Sequence, residues 1–173
     1  RLSEAALRML RAVRFASQLG FALDRDTRTA MVEHAAAIRE VAAERIREEL
    51  VKILLAPHAG EGLRLLGETG LGVSMLHEAA PDAFSWDPGS WPPDTVLRLC
   101  GLFCAACGDR REAGEALRRL RFDNATRGDV LFLYDAKDII PVSEPEWVRR
   151  RLYEWGERRM ALYLTHQQAM GRE

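Results

Sequence analysis

No run in this 173-residue chain approaches the roughly 18 consecutive apolar residues that a membrane-spanning helix needs, so no membrane association is expected. Charge of one sign is also missing: 25 Lys and Arg stand against 26 Asp and Glu, for a net charge of −1. A chain-wide basic signature for nucleic acid is therefore absent, and any RNA contact has to come from local patches. Cysteine is scarce and confined to Cys100, Cys104 and Cys107. An odd number in one cluster argues against a disulfide framework and for a reducing, cytoplasmic compartment. No signal peptide opens the chain. It begins at Arg1, without Met and directly before a helix start, which suggests a piece of a longer protein. No strand-like alternation persists for five residues between turn signals, and no strand carries an Asp-x-Asp pair.

What is present is helical periodicity in a chain that is 47% hydrophobic and 29% charged, enough apolar material for a packed core. Ser3 reads as the N-cap of a helix running to about Leu19, with Leu7, Leu10 and Val13 as its apolar stripe and Gly20 at its left-handed end. Glu4, Arg8, Arg11 and Arg14 follow at steps of four, three and three and so share a polar sector. Further helices are predicted over 27–38, 43–55, 60–67 and, as a short turn, 71–76. Residues 80–93 hold four of the seven prolines together with Trp86 and Trp91 and read as a linker. Beyond it, helices are predicted over 94–106, 111–120, 124–136 and 144–168, the last broken at Gly156. The expected fold is all-α, an array of short helices in two packed helical subdomains, 1–79 and 94–173, joined by 80–93.

Three strings then carry a resemblance. The first is Glu4-Ala5-Ala6-Leu7-Arg8-Met9-Leu10-Arg11-Ala12-Val13-Arg14-Phe15; the second is Glu44-Arg45-Ile46-Arg47-Glu48-Glu49-Leu50, followed by Gly62-Leu63-Arg64-Leu65-Leu66 and Gly70-Leu71-Gly72. The third is Leu117-Arg118-Arg119-Leu120-Arg121-Phe122-Asp123-Asn124. In this order they resemble the neck and body that follow the catalytic head in class II tRNA nucleotidyltransferases (CCA-adding enzymes) and bacterial poly(A) polymerases. The resemblance implies a tRNA partner, and CTP and ATP as substrates of the full protein. It also implies that Arg8 reads the incoming base through a guanidinium fork, that Glu4 orients Arg8, and that Arg11 faces the nucleotide or its phosphates.

The family pattern E-D-x-x-R is broken here, because its Asp position is Ala5, which has no acceptor for an exocyclic amine. The paired aspartates that hold magnesium in the family's head are absent, so this chain is expected to need no cofactor of its own and to be non-catalytic alone. Whether the parent is an enzyme stays open, with poly(A) polymerase or a degenerate RNA- or protein-binding scaffold as alternatives. Asp24-Arg25-Asp26 has the right letters for a metal pair but sits in a turn where capping is the ordinary role. The helix after the linker carries no His-Asp pair, which speaks against a phosphohydrolase site.

Other features have plainer readings. Cys100, Cys104 and Cys107, at steps of four and three, place small apolar side chains on one helix face. The four histidines are scattered and the four tryptophans read as packing anchors. Without the resemblance, Arg8, Arg11 and Arg14 would read as a solvated face. Arg118, Arg119 and Arg121, with Arg14, are the candidate RNA contacts, and a cluster from Arg149 to Arg159 offers another set of cations.

Overall fold

The computed structural model describes residues 2–77, 79 and 81–172, and its regular structure is all helical, with no strand among these residues. The linker's predicted first residue, Ala80, and the terminal residues Arg1 and Glu173 lie outside them.

Helix α1 (Leu2–Leu19) buries Ala6, Leu7, Leu10, Val13, Ala16 and Ser17, the spacing of a single helical face. Ser3 lies inside this helix rather than capping it. Gly20 ends it at φ +71°, with its amide donating to Ala16 O at 2.8 Å. Helix α2 (Arg25–His34) is shorter than predicted, because Ala35–Glu40 tightens into a 3-10 turn. In a 3-10 turn residues three apart eclipse, which brings Ala35 and Ile38 together onto the core side. Helix α3 (Ala43–Leu55) buries Ile46, Leu50, Ile53 and Leu54, and also Glu49. Helices α4 (Ala59–Glu68) and α5 (Leu71–Leu76) complete a layer in which α1 packs on α3, α4 and the 3-10 turn.

The Pro- and Trp-rich stretch is ordered by packing. Pro81–Ser85 forms a second 3-10 turn against α4 and α6, and Phe84 and Trp91 are buried. The Trp86 and Trp91 rings meet edge to face at 5.0 Å between centroids. A Cβ at Gly101 would run into the Trp86 indole, so this helix position has to be glycine for the tryptophan to seat.

Helix α6 (Thr95–Ala106), capped by Asp94 through Leu97 N at 3.0 Å, is buried on nearly every side. That all-round burial includes Arg98, 6% exposed, whose guanidinium donates to Leu54 O at 2.6 Å, Trp91 O at 2.7 Å and Pro92 O at 3.1 Å. Arg98 thus ties the end of α3 to the Trp91 segment and to α6. Helices α7 (Arg110–Arg119) and α8 (Asn124–Ala136) are capped by Asp109 and Asp123, and both α6 and α7 pack on α8.

Helix α9 (Pro145–Ala169) is broken at Gly156, at φ +76° and ψ 163°, a backbone state essentially closed to other residues. Its aromatics join α8 in a cluster of Phe132, Trp147, Trp155 and Tyr163. The core is continuous from α1 to α9.

Candidate nucleotide and RNA interface

Helix α1 carries the predicted nucleotide residues on its exposed side, and helix α3 decides what each can do. Glu49 lies on the inward stripe of α3, at helical spacing from Ile46, Leu50 and Ile53, with its side chain 5% exposed. A carboxylate so placed has to be compensated. Arg14 Nε meets it at 2.6 Å, Arg11 Nε at 3.5 Å and Lys52 Nζ at 4.0 Å. Arg14 is committed further, donating to Gln18 Oε1 at 2.8 Å and lying over the Phe15 ring. The basic stripe read from the sequence is therefore split. Arg14 is largely buried and structural, Arg11 is half exposed and partly neutralised, and Arg8 is exposed with no ion pair or hydrogen bond among the described residues.

Glu4 does not orient Arg8. Its carboxylate sits 3.5 Å from Arg45 on α3, with both side chains more than half exposed. Such a pair contributes about 0–1 kcal/mol and leaves Arg8 unconstrained. Beside Arg8 an apolar groove of about 440 Å3 runs between α1 and α2, lined by Ala5, Met9, Met31 and His34 among others. Ala5, where the motif has Asp, forms part of that groove wall.

The remaining predicted RNA residues gather some way along the chain, at the α7–α8 corner. Helix α7 ends in a Schellman turn: Arg121 N donates to Arg118 O at 3.0 Å and Phe122 N to Leu117 O at 3.1 Å, with Leu117 and Phe122 buried. Arg121 occupies the left-handed position at φ +59°. Its carbonyl accepts from Arg47 of α3, and its own Nε lies 3.8 Å from Glu44. Arg119 donates to Leu76 O at 2.8 Å, whereas Arg118 is exposed and has no partner among the described residues.

The other sequence candidates resolve into structural roles. Asp24 caps α2, accepting from Thr27 N at 2.9 Å and from Thr27 Oγ1 at 2.6 Å, and those bonds hold its carboxyl below the usual range. Among the described residues no group of three or more His, Cys, Asp or Glu is placed to hold a metal ion. Cys100 is fully buried, 3.7 Å from Cys104 Sγ and 3.6 Å from His166 Nε2, while Cys107 lies past the end of α6. Burial pushes the Cys107 thiol up to about 11 and the His166 ring down to about 4, so neither is charged at neutral pH.

Several working residues carried signals that sequence reading passed over. Glu49 interrupts an apolar stripe and Arg98 interrupts an apolar helix; a charge at such a position calls for buried partners. Arg47, which joins α3 to the α7–α8 corner through Arg121 O, carried no comparable signal.

Residues 20–82 match the family model described as the probable RNA and SrmB-binding site of polymerase A. A CCA-adding enzyme of Geobacillus sp. (strain WCH70) is 36% identical over 160 residues, covering 90% of this chain and 39% of that protein. The chain belongs to the CCA-adding enzyme and poly(A) polymerase family. A second CCA-adding enzyme, from Geobacillus kaustophilus (strain HTA426), is 36% identical over 165 residues, with the same shares of the two chains. A CC-adding tRNA nucleotidyltransferase of Halalkalibacterium halodurans is 40% identical over 101 residues, 54% of this chain and 27% of that protein. The chain thus spans about two-fifths of the length of the two CCA-adding enzymes. No helix among the described residues is long and apolar enough to cross a membrane.

Proposed function

We propose that this chain is the tRNA- and nucleotide-binding helical region of a cytoplasmic tRNA nucleotidyltransferase, a longer protein that adds CMP and AMP from CTP and ATP to tRNA 3′ ends. The observation that carries this reading is the match to CCA-adding enzymes along 90% of the chain. The geometry supports it at Arg8, the α1 cation left uncommitted and the one the motif would turn toward a base. The magnesium that such a transfer needs is expected in the catalytic head of the parent.

Ala5 alters the expected selectivity. A guanidinium alone donates to a ring nitrogen but cannot accept from an exocyclic amine, so discrimination of C and A against U is expected to be weaker than with the full motif. The test is nucleotide incorporation by the full-length protein on tRNA lacking its 3′ CCA. CMP and AMP addition that falls with Arg8→Ala, and whose selectivity over UMP rises with Ala5→Asp, is the expected result. A second reading, poly(A) polymerase, is favoured by the description of the matching family model. Extended AMP-only tails on RNAs other than tRNA would establish that alternative, and no transfer at all would leave a binding scaffold.

A further inference from the structure

Outside the stretch that matches the RNA-binding family model, the α7–α8 corner gathers more positive charge than acid, with Glu44 of α3 at 3.8 Å from Arg121 as one partial offset. A concavity of about 740 Å3 is lined there by Arg118, Arg119, Arg121 and Arg127 with Phe122 and Glu115. Its one carboxylate, Glu115, is 3.1 Å from Arg111, which does not line the concavity. Arg127 gives one terminal nitrogen to Asn124 Oδ1 at 3.1 Å, while its Nε is buried without any partner. Arg118 has no partner among the described residues. Arg121 and Phe122 also line an adjoining concavity of about 550 Å3, which adds Arg47 and Lys52 of α3. The acids of this second hollow are Glu48 and Asp123, and Asp123 is engaged in capping α8 through Thr126.

The backbone adds an independent sign. Position C′ of a Schellman turn is ordinarily glycine, because a side chain held at positive φ is strained. Here it is Arg121, at φ +59°. Glycine would serve the turn better, so what the strained position provides is the guanidinium between the two hollows. Strain of this kind marks positions retained for something other than folding.

We propose that Arg118, Arg121 and Arg127, with Arg47 and Lys52 across from them, form a seat for consecutive phosphates of the RNA backbone. Clustered cations with few acids repel one another until an anion occupies the hollow, and each phosphate contact displaces counter-ions. Two hollows joined through one arginine suit a chain of phosphates rather than a single anion. The inference rests on the reading of the chain as RNA-binding and extends the contact surface to its second half.

The test is tRNA binding by the 173-residue chain across a salt series, for wild type and for Arg118→Gln, Arg127→Gln, Arg121→Gly, Arg8→Gln and, as a control at the other end of α7, Arg110→Gln, whose side chain is paired with Asp135. Each corner variant is expected to lower the slope of log K against log salt by roughly 0.7–0.9, while Arg110→Gln leaves it unchanged. Arg121→Gly is expected to bind more weakly while unfolding at a higher temperature, a combination that a purely structural role would not give. Corner variants with wild-type slopes, alongside an Arg8→Gln that weakens binding, overturn the phosphate seat alone. A wild type without salt-dependent binding overturns the RNA-binding reading and the seat together. Saturable binding of inorganic phosphate, lost in Arg118→Gln, with unaltered RNA slopes would mean a free-anion site and overturns the proposal as well.

Discussion

Replacing Arg98 with methionine removes the guanidinium from a point where three backbone carbonyls converge. Leu54 O belongs to the last turn of α3, whose carbonyls lack intrahelical partners, and Trp91 O and Pro92 O belong to the stretch without regular structure before α6. A buried acceptor left without its donor costs about 1–3 kcal/mol; Pro92 O keeps the Asp94 amide at 2.7 Å, so the two carbonyls left without a donor, Leu54 O and Trp91 O, cost about 2–6 kcal/mol before relaxation. Part of this is returned, since burying the guanidinium itself costs a few kcal/mol; the same burial lowers the Arg98 pKa. The net expected loss is about 2 kcal/mol, or about 4–8 °C in Tm for a chain of this size. Arg98→Lys keeps the charge but replaces the fork by one ammonium, so it still bears desolvation with fewer bonds made and is expected to recover little. Urea unfolding followed by far-UV circular dichroism reads both variants. A methionine variant within about 0.5 kcal/mol of wild type, or a lysine variant of full stability, would refute the view that the hydrogen-bonded fork holds these segments together.

Asp129, nearly buried in α8, is held below the usual carboxylate range chiefly by Arg158, against the opposing effect of burial, with Arg159 adding a smaller pull. Because its folded pKa is depressed, its contribution is full above the unfolded value of about 3.9 and is lost as pH falls through the lower folded value. Asp129→Asn should therefore cost about 1 kcal/mol at pH 7, limited by the exposure of Arg158, and the gap in urea midpoint should close in acid. Gly156→Ala meets no neighbouring atom, so its expected cost of about 1–3 kcal/mol is backbone strain alone; an unchanged Tm would mean that α9 straightens instead. Glu49→Gln should cost about 1–2 kcal/mol by weakening the charge-assisted bond to Arg14, while releasing Arg11 and Arg14 to bind anions. A steeper salt dependence of RNA binding in a less stable protein is the expected signature, and a shallower one would contradict it.

Much of the helical order was legible because apolar periodicity and capping residues are local. Asp94, Asp109 and Asp123 begin their helices as their side chains dictate, and α3 and α8 run where the pattern puts them. The misses come from long-range packing. Ala35 and Ile38 reach the core in a 3-10 turn, a distinction that a helical pattern cannot carry. At the candidate site, spacing placed Glu4, Arg8, Arg11 and Arg14 on one sector of α1, but their partners belong to α3, 35 residues away in the case of Arg14 and Glu49. A single-helix pattern gives four equivalent charged groups, whereas cross-helix contacts leave Arg8 free and consume Arg14. The same limit concealed the joining of Arg47 to Arg121, since nothing in either string shows that α3 faces the α7–α8 corner.

The reading of this chain as an RNA-binding region is tested most directly by titrating the purified 173 residues with tRNA between low and physiological salt. Binding whose log K falls linearly with log salt, with a slope reporting several phosphate contacts, is the predicted result. An absence of binding at low salt, or binding indifferent to salt, would contradict it.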